Sequence, residues 1–453
     1  DYVPKNLKEV IITGGTSIEN FAFSGCSGLM SITIPESVTS IGNSVFYGCS
    51  GLTSIIVETG NAKYHSSGNC LIETGTKTLI LGCQNSIIPN DGSVTSIGDY
   101  AFRGCSRLTS VTIPESITSI GVYAFYGCSR LTSITIPYVG EKADGSGETH
   151  FGYIFGAIFD SDNDDCVPAS LKEVIITGGT SIGSYAFYNC SGLISITIPN
   201  GVTSIGDSAF YGCSGLMSIT IPESVTSIGN SAFSGCRGLT SATIGNGITS
   251  IGFSAFGGCS ELTSITIPFV GGKADGSGET HFGYIFGASS DSYNDDYVPK
   301  NLKEVIITGG TSIENFAFSG CSGLMSITIP ESVTSIGNSV FYGCSGLTSI
   351  IVETGNAKYH SSGNCLIETG TKTLILGCQN SIIPNDGSVT SIGDYAFRGC
   401  SRLTSVTIPE SITSIGVYAF YGCSRLTSIT IPYVGKKADG SGETHFGYIF
   451  GAS

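Results

Sequence analysis

The chain has 453 residues, of which 64 are glycine and 12% are charged, with no tryptophan and a formal net charge of −15. This composition is typical of short strands joined by many tight turns, and it excludes a mainly helical protein, which would be richer in Ala, Glu, Lys and Leu. The acidic balance excludes nucleic acid and anionic membrane surfaces as partners, because both attract clustered Lys and Arg. The apolar residues 151–159 cover about half of the roughly 20 residues that a membrane span needs. We therefore expect no membrane insertion, and no signal peptide is visible at the first residues.

One pattern returns along the whole chain. The cysteines that share a repeat position lie 23 residues apart in three runs: Cys26 and Cys49; Cys105 and Cys128; and Cys190, Cys213, Cys236 and Cys259. A fixed period of about 20 to 30 residues indicates a solenoid, in which each repeat, here called a rung, buries its apolar side chains against its neighbours.

Each rung begins with a short strand. In residues 131–136, Ile134 and Ile136 alternate with Ser133 and Thr135, which predicts one buried face and one outward face. Pro137 then removes a backbone donor and ends the pairing.

A second extended piece and a compact turn complete the rung. Ile120 and Gly121 illustrate the extended piece, and Phe125 lies in the turn. The cysteines after the turn should be buried free thiols, because they occupy a position suited to a small apolar side chain. The turn phenylalanines should stack as a ladder formed by Phe23, Phe46, Phe102, Phe125, Phe187, Phe210, Phe233 and Phe256, continued in the last block.

In chain order, leucine-rich repeats occupy residues 1–140, 171–270 and 302–435. Aromatic, glycine-rich segments that we interpret as joints occupy residues 141–170 and 271–301, and a third joint begins at residues 436–453. Residues 1–157 return as residues 296–452 with one difference, Glu141 to Lys436, which indicates a tandem duplication with a 295-residue unit. We predict 17 rungs, led by Leu7, Leu29, Leu52, Leu79, Leu108, Leu131, Leu171, Leu193, Leu216, Leu239, Leu262, Leu302, Leu324, Leu347, Leu374, Leu403 and Leu426.

An insertion at about residues 58–83 interrupts the first repeat segment. Apolar runs on either side of residues 74–77 predict a β-hairpin. Cys70 and Cys83 leave the regular cysteine position, so a disulfide across the base of the hairpin is one alternative and two free thiols the other.

The joints place a polar loop before an aromatic cluster of Phe151, Tyr153 and Phe155. The rung that follows turns Ile175 outward where other rungs have Thr. We predict that the aromatic segment covers Ile175 and fixes one group of rungs onto the next. An exposed aromatic binding site is the alternative.

The rung consensus is Thr-Ser-Ile-Gly-x-x-Ala-Phe-x-Gly-Cys-x-x-Leu-Thr-Ser-Ile-Thr-Ile-Pro. It resembles the BspA-like leucine-rich repeat, a 23-residue class of bacterial and protist surface proteins, over nearly the whole chain. The resemblance implies a repeat solenoid, mainly β and right-handed, with a parallel sheet on the concave side and short helical or irregular turns on the other. It further implies display outside the cell or at its surface, a role in adhesion or binding, and no catalytic residues.

No motif predicts an enzyme, a metal site or a cofactor. Residues 160–165 resemble the acidic start of a calcium loop, but the second copy has Tyr293 in place of the middle carboxylate, and a solvated linker is the alternative. The five His all lie in the interruptions, and none has a second His or Cys at zinc spacing.

Outward Ser and Thr of the leading strands should align as rows. Solvated polar residues on a β face, a surface that binds protein or glycan, and a flat array resembling ice-binding solenoids are the alternatives. The predicted stripe consists of Ser31, Thr33, Ser110, Thr112, Ser133, Thr135, Ser195, Thr197, Ser218, Thr220, Ser241, Thr243, Ser264 and Thr266.

The leading interpretation is a non-enzymatic extracellular scaffold that binds a protein or glycan ligand on another cell or in a matrix. The alternative is a structural fibre subunit that assembles end to end with further copies of itself, because the 295-residue unit restarts within the chain.

Overall fold

The structure is a computed structural model that describes residues 6–451. The outer ends of the first repeat segment and of the third predicted joint, residues 1–5 and 452–453, lie outside the described range. Between residues 222 and 223 the chain divides into two compact units.

Each rung begins with a leading strand in which buried Val, Ile or Ala alternates with outward side chains. In the first unit the leading strands are Glu9–Ile11, Ser31–Ile34, Ser54–Val57, Ser110–Thr112, Ser133–Ile136, Glu173–Ile176, Ser195–Thr197 and Ser218–Ile221. In the second unit they are Ser241–Ile244, Ser264–Ile267, Glu304–Ile307, Ser326–Ile329, Ser349–Val352, Ser405–Thr407 and Ser428–Thr430. Neighbouring leading strands pair in parallel, as in Ile134 opposite Val174. The predicted mainly β solenoid is confirmed.

A second ladder of two-residue strands runs beside the leading sheet. In the first unit it is formed by Ser17–Ile18, Ser40–Ile41, Ser96–Ile97, Ser119–Ile120, Ser181–Ile182 and Ser204–Ile205. In the second unit it is formed by Ser227–Ile228, Ser250–Ile251, Ser312–Ile313, Ser335–Ile336, Ser391–Ile392 and Ser414–Ile415. In each pair the serine and the isoleucine point to opposite faces of the strand, and the isoleucine points toward the core that the apolar side chains of the leading strand also face.

The turns between rungs carry the predicted phenylalanine ladder. The rings of Phe102 and Phe125 stack with centroids 4.9 Å apart, and those of Phe187 and Phe210 are 5.1 Å apart. All four side chains are fully buried. The ladder is therefore the centre of the core on the turn side.

The cysteines are free thiols, as predicted. They also make contacts that the pattern did not predict: Cys128 Sγ donates to Phe102 O at 3.3 Å, and Cys213 Sγ donates to Phe187 O at 3.1 Å. Burial raises the pKa of the Cys128 thiol to about 12. At these two positions the thiol connects a turn to the preceding one as a neutral donor.

The insertion forms the predicted hairpin and adds one more strand. Cys70–Glu73 pairs antiparallel with Thr78–Leu81 across residues 74–77, and with Tyr64–Ser67 on its other side. The duplicate consists of Tyr359–Ser362, Cys365–Glu368 and Thr373–Leu376. The disulfide alternative is wrong, since Cys70 and Cys83 are free and their sulfurs lie within hydrogen-bonding distance of Gly68 O and Asn69 O.

The count of 17 rungs is wrong by two, because Leu79 and Leu374 do not lead rungs. Leu79 pairs in parallel with Ile97, and Leu374 pairs in the same way with Ile392. Both leucines therefore belong to the second ladder. The insertion supplies a strand to that ladder and adds none to the leading sheet.

The joints contain short helices. In the first unit the 3-10 helices Phe151–Phe155 and Asp160–Asp162 precede the α-helix Asn163–Cys166. In the second unit the 3-10 helices Phe282–Phe286 and Asp291–Tyr293 precede the α-helix Asn294–Tyr297, and a further 3-10 helix spans Phe446–Phe450.

Candidate binding surface

The outward residues of the leading strands form two rows, which we call the hydroxyl surface. In the first unit Ser110 lies opposite Ser133 and Thr112 opposite Thr135. In the second unit the same register places Ser241 opposite Ser264 and Thr243 opposite Thr266. Each row therefore presents hydroxyl groups at the spacing of neighbouring strands, about 4.8 Å.

The strand after each joint interrupts both rows. Glu173 lies between Ser133 and Ser195, and Ile175 lies between Thr135 and Thr197. The Ser133 hydroxyl donates to Glu173 Oε2 at 2.9 Å. Sequence reasoning found Ile175 but missed the carboxylate, although Leu-Lys-Glu-Val-Ile-Ile already places Glu at the serine position.

Glu304 and Ile306 repeat this interruption in the second unit, where Glu304 Oε2 accepts a hydrogen bond from Ser264 at 3.1 Å. The surface is thus not a uniform hydroxyl array. It carries an anionic and an apolar position at Glu173 and Ile175 and again at Glu304 and Ile306.

The predicted stripe does not lie on one sheet. Ser31 and Thr33 belong to a separate three-stranded sheet, on which Thr33 lies between Ile11 and Ile56. These two isoleucines are 62% and 48% exposed. The insertion separates this sheet from the next one, so Ser31 and Thr33 lie beside exposed apolar side chains.

The stripe residues differ in exposure. The exposed residues are Ser110, Thr112, Ser195, Thr197, Ser218, Thr220 and Thr243. The half-buried residues are Ser31, Thr33, Ser133, Thr135, Ser241, Ser264 and Thr266. The two exposed hydroxyl pairs of one sheet, on strands Ser110–Thr112 and Ser195–Thr197, lie on either side of the joint. Together with Ser218 and Thr220, they are the exposed hydroxyl pairs of the surface in the first unit.

Other threonines use their hydroxyls to hold the fold. Thr132 Oγ1 donates to Thr109 O at 2.9 Å, and Thr118 Oγ1 donates to Thr95 O at 3.1 Å. Each bond joins one rung to the preceding one. In the Thr-Ser dipeptide at the start of a leading strand, the threonine side chain therefore bonds to the preceding rung and the serine side chain faces outward.

The aromatic residues of the joint continue the phenylalanine ladder between the rungs on its two sides. Phe125 N–H donates to Ile154 O at 2.8 Å. The Phe151 ring packs 4.9 Å from Phe187, and the Phe155 ring lies 6.3 Å from Phe125. Phe151 and Phe155 are buried. The alternative of an exposed aromatic binding site is therefore wrong for these two rings.

Tyr153 is half-buried, its ring lies edge-on to His150, and burial raises the pKa of its phenol to about 12. Ile175 lies in the leading sheet and is half-buried. The proposed cover of Ile175 by the aromatic segment stays a prediction.

Asn163 fixes the joint and was missed by sequence reasoning. Its side chain is fully buried. Oδ1 accepts from Gly152 N–H at 2.9 Å and lies 3.2 Å from His150 Nδ1, while Nδ2 donates to Ala186 O at 3.4 Å. The available signal was that this Asn returns at position 294 while its neighbour Asp162 becomes Tyr.

The acidic run around Asn163 caps its own short helix. Asp162 Oδ2 accepts from Phe159 N–H at 3.2 Å, and Asp160 Oδ1 accepts from Ser161 N–H at 2.8 Å. Across residues 6–451, no group of three or more His, Cys, Asp or Glu is placed to hold a metal ion. In the same range, no helix has the length and apolarity to cross a membrane.

Comparison with known families gives a match over most of the chain. The model described as "BspA type Leucine rich repeat region (6 copies)" matches residues 2–71, 80–145, 170–271, 294–366 and 375–441. A comparison with curated proteins gave no match.

Several solved structures are similar. A leucine-rich repeat protein from Bacteroides ovatus is 26% identical, with 98% of this chain and 90% of that chain covered and a TM-score of 0.38. A leucine rich cell surface protein from Faecalibacterium prausnitzii is 23% identical, with 99% and 92% covered and a TM-score of 0.23. A leucine-rich repeat protein from Eubacterium ventriosum is 20% identical, with 93% and 83% covered and a TM-score of 0.28.

Proposed function

Since the chain belongs to the BspA-type leucine-rich repeat family, we propose that it is a non-enzymatic extracellular scaffold whose hydroxyl surface binds a protein or glycan on another cell or in a matrix. The observation that carries the proposal is the register of the leading strands, which aligns outward hydroxyls of successive rungs. A rigid sheet holds these groups in place before a partner arrives, so little side-chain freedom is lost on binding.

The interruption by Glu173 and Ile175 supports specific rather than general adhesion. The carboxylate accepts the Ser133 hydroxyl at 2.9 Å and is otherwise exposed, and Ile175 offers an apolar contact between two threonines. A mixed surface of this kind suits a protein partner or a glycan with both polar and apolar faces. Its net negative surroundings select against anionic partners.

The experiment is attachment of the purified chain to cells and to immobilised matrix proteins and glycans, measured as saturable binding. Replacing Thr112 and Thr197 by Lys places two long cations on exposed positions of one sheet. Binding should fall at least tenfold, because the long, charged lysine side chains would obstruct a partner that contacts the hydroxyl rows.

A matched variant carries the same two added charges at Ser129 and Ser191, which are exposed positions outside the leading strands. It should bind like the parent chain. Equal binding by both variants, or no saturable attachment at all, would contradict the proposal. Filaments with a regular axial repeat in electron microscopy would favour the fibre alternative.

A further inference from the structure

A cavity of about 350 Å³ opens beside the insertion of the first unit. Its counterpart in the second unit is about 400 Å³. The cavity lies where the second ladder is interrupted. Among the strands of the described residues, Ser40–Ile41 pairs only with Ser17–Ile18, whereas Ser96–Ile97 pairs with Thr78–Leu81 of the insertion. The rungs at residues 40–47 and 98–103 therefore face each other across an open space.

The interruption leaves backbone groups without partners. In the regular ladder Gly121 N–H donates to Ile97 O at 2.8 Å. At the cavity the corresponding donor, Gly98 N–H, donates to Leu79 O instead, also at 2.8 Å. Within residues 6–451, Ile41 O consequently accepts no hydrogen bond from the protein. A carbonyl in this position needs water or a ligand.

The same wall carries further unpaired groups. The N–H groups of Ser44 and Phe46 and the side-chain amide of Asn43 have no partner in the described part of the chain. In the preceding rung the matching amide is used, since Asn20 Oδ1 accepts from Asn43 N–H at 2.7 Å. The cavity thus presents neutral donors and acceptors that, in regular rungs, form hydrogen bonds with the neighbouring rung.

Charged side chains of both signs complete the rim. The Arg103 guanidinium lies over the Tyr47 ring with its Cζ 4.1 Å from the centroid, and its buried Nε has no hydrogen-bond partner in the residues described. Lys63 Nζ lies 3.4 Å from Glu73 Oε1. Asp99, which also lines the cavity, supplies the second carboxylate. The formal charges of these two cations and two anions sum to zero, which suits a neutral ligand.

An apolar and aromatic side gives the cavity a surface for packing. Ile80 and Tyr100, which are half-buried, line it in front of the buried Leu71 and Tyr64. A small number of polar groups set among apolar and aromatic ones, in a volume of at least about 300 Å³, is the usual composition of a small-molecule site. This site differs from a hydrophobic pocket because it also contains polar groups that are free to form hydrogen bonds with a ligand.

We propose that each cavity binds a neutral sugar unit of a glycan. A pyranose ring carries hydroxyls that both donate and accept, which matches the unpaired Ile41 O, the Phe46 N–H and the Asn43 amide. Its C–H groups pack against the half-buried Ile80 and the accessible part of Tyr100. An extended peptide fits less well, because the free edge at Ser40–Ile41 is two residues long and offers too few ladder bonds to hold a strand.

The test uses the full chain and the methyl glycosides of glucose, galactose, mannose and N-acetylglucosamine. Saturation-transfer NMR identifies which glycoside binds, and calorimetric titration counts the sites. At least one glycoside should bind saturably at two equivalent sites per chain, because the two cavities have the same lining residues.

Asn43→Phe and Asn338→Phe replace a lining amide of each cavity by a bulky ring without hydrogen-bonding groups. Phe253 occupies the same rung position as Asn43, so a rung accepts an aromatic side chain there. One substitution should halve the number of sites and both together should abolish binding. Val122→Phe, at this position in a regular rung, should leave two sites, and circular dichroism checks that each variant is folded.

Three outcomes would overturn the proposal: no transfer to any of the four glycosides, unchanged binding in the folded double variant, or a stoichiometry other than two. This site is separate from the hydroxyl surface. Cell attachment that survives in the double cavity variant but not in the Thr112→Lys, Thr197→Lys variant would leave the proposed function intact, so the two proposals fail separately.

Discussion

Replacing Asn163 by Ala should loosen the first joint and leave the second unchanged. The substitution removes the acceptor of Gly152 N–H, 2.9 Å away, and of the His150 imidazole, 3.2 Å away. Ala186 O keeps its bond from Phe151 N–H at 2.7 Å, so it is not orphaned. Two buried donors lose their partner at about 1–3 kcal/mol each, which predicts a local cost of about 2–6 kcal/mol.

Hydrogen exchange read by mass spectrometry is the suitable assay, because repeat proteins open locally and a single global unfolding energy would average over rungs. Amides of residues 150–157 should lose protection by more than about tenfold. Residues 281–288, held by Asn294 in the same way, serve as a control within the molecule. Asp164→Ala changes an exposed neighbour and should alter protection little. Equal protection in the Asn163 and Asp164 variants would refute the reasoning.

Two further predictions concern the core. Phe151→Ala removes a buried ring that packs 4.9 Å from Phe187 and should cost about 3–5 kcal/mol of local stability, measured as lost hydrogen-exchange protection of residues 150–157. Tyr153→Ala truncates a half-buried ring and should cost less. Burial raises the pKa of Cys128 and Cys259 from 9.0 to about 12, so the unfolded chain loses these protons first and the free energy of unfolding should fall between about pH 9 and 12. Below about pH 9 these thiols should cause no such loss; Cys259→Ala should reduce the alkaline fall, and an unchanged pH profile would contradict this account.

The regular rung was predictable because its signals are local and repeated. The alternation of Ile134 and Ile136 with Ser133 and Thr135 fixes which face is buried, and the 23-residue period fixes which residues stack. A parallel ladder with identical rungs has one register that buries every apolar side chain, so pattern alone determines it.

The interruptions were less predictable because their partners are distant and unlike. Leu79 has the apolar neighbours of a leading strand, and only its pairing with Ile97 shows that it belongs to the second ladder. Asn163 lies in an acidic run that resembles a linker, and its role depends on Gly152 and Ala186, which come from other elements. The cavity beside the insertion arises because, within the described residues, Ile41 O lacks the hydrogen bond that the next rung supplies in the regular ladder. No local sequence pattern predicts the absence of such a bond.

The one difference between the duplicated segments shows which parts of a joint determine its shape. Glu141, Gly272 and Lys436 occupy the same place in the three joints, and the backbone N–H of each donates to the carbonyl of a Glu seven residues later, at 2.7, 2.8 and 2.6 Å. The joint closes through the backbone whether the side chain is anionic, absent or cationic. The backbone closure of the joint therefore does not depend on the charge at that position, where Glu141 Oε2 adds one hydrogen bond from Glu148 N–H at 3.3 Å. At Asn163, by contrast, the side chain itself makes the contacts that hold the joint.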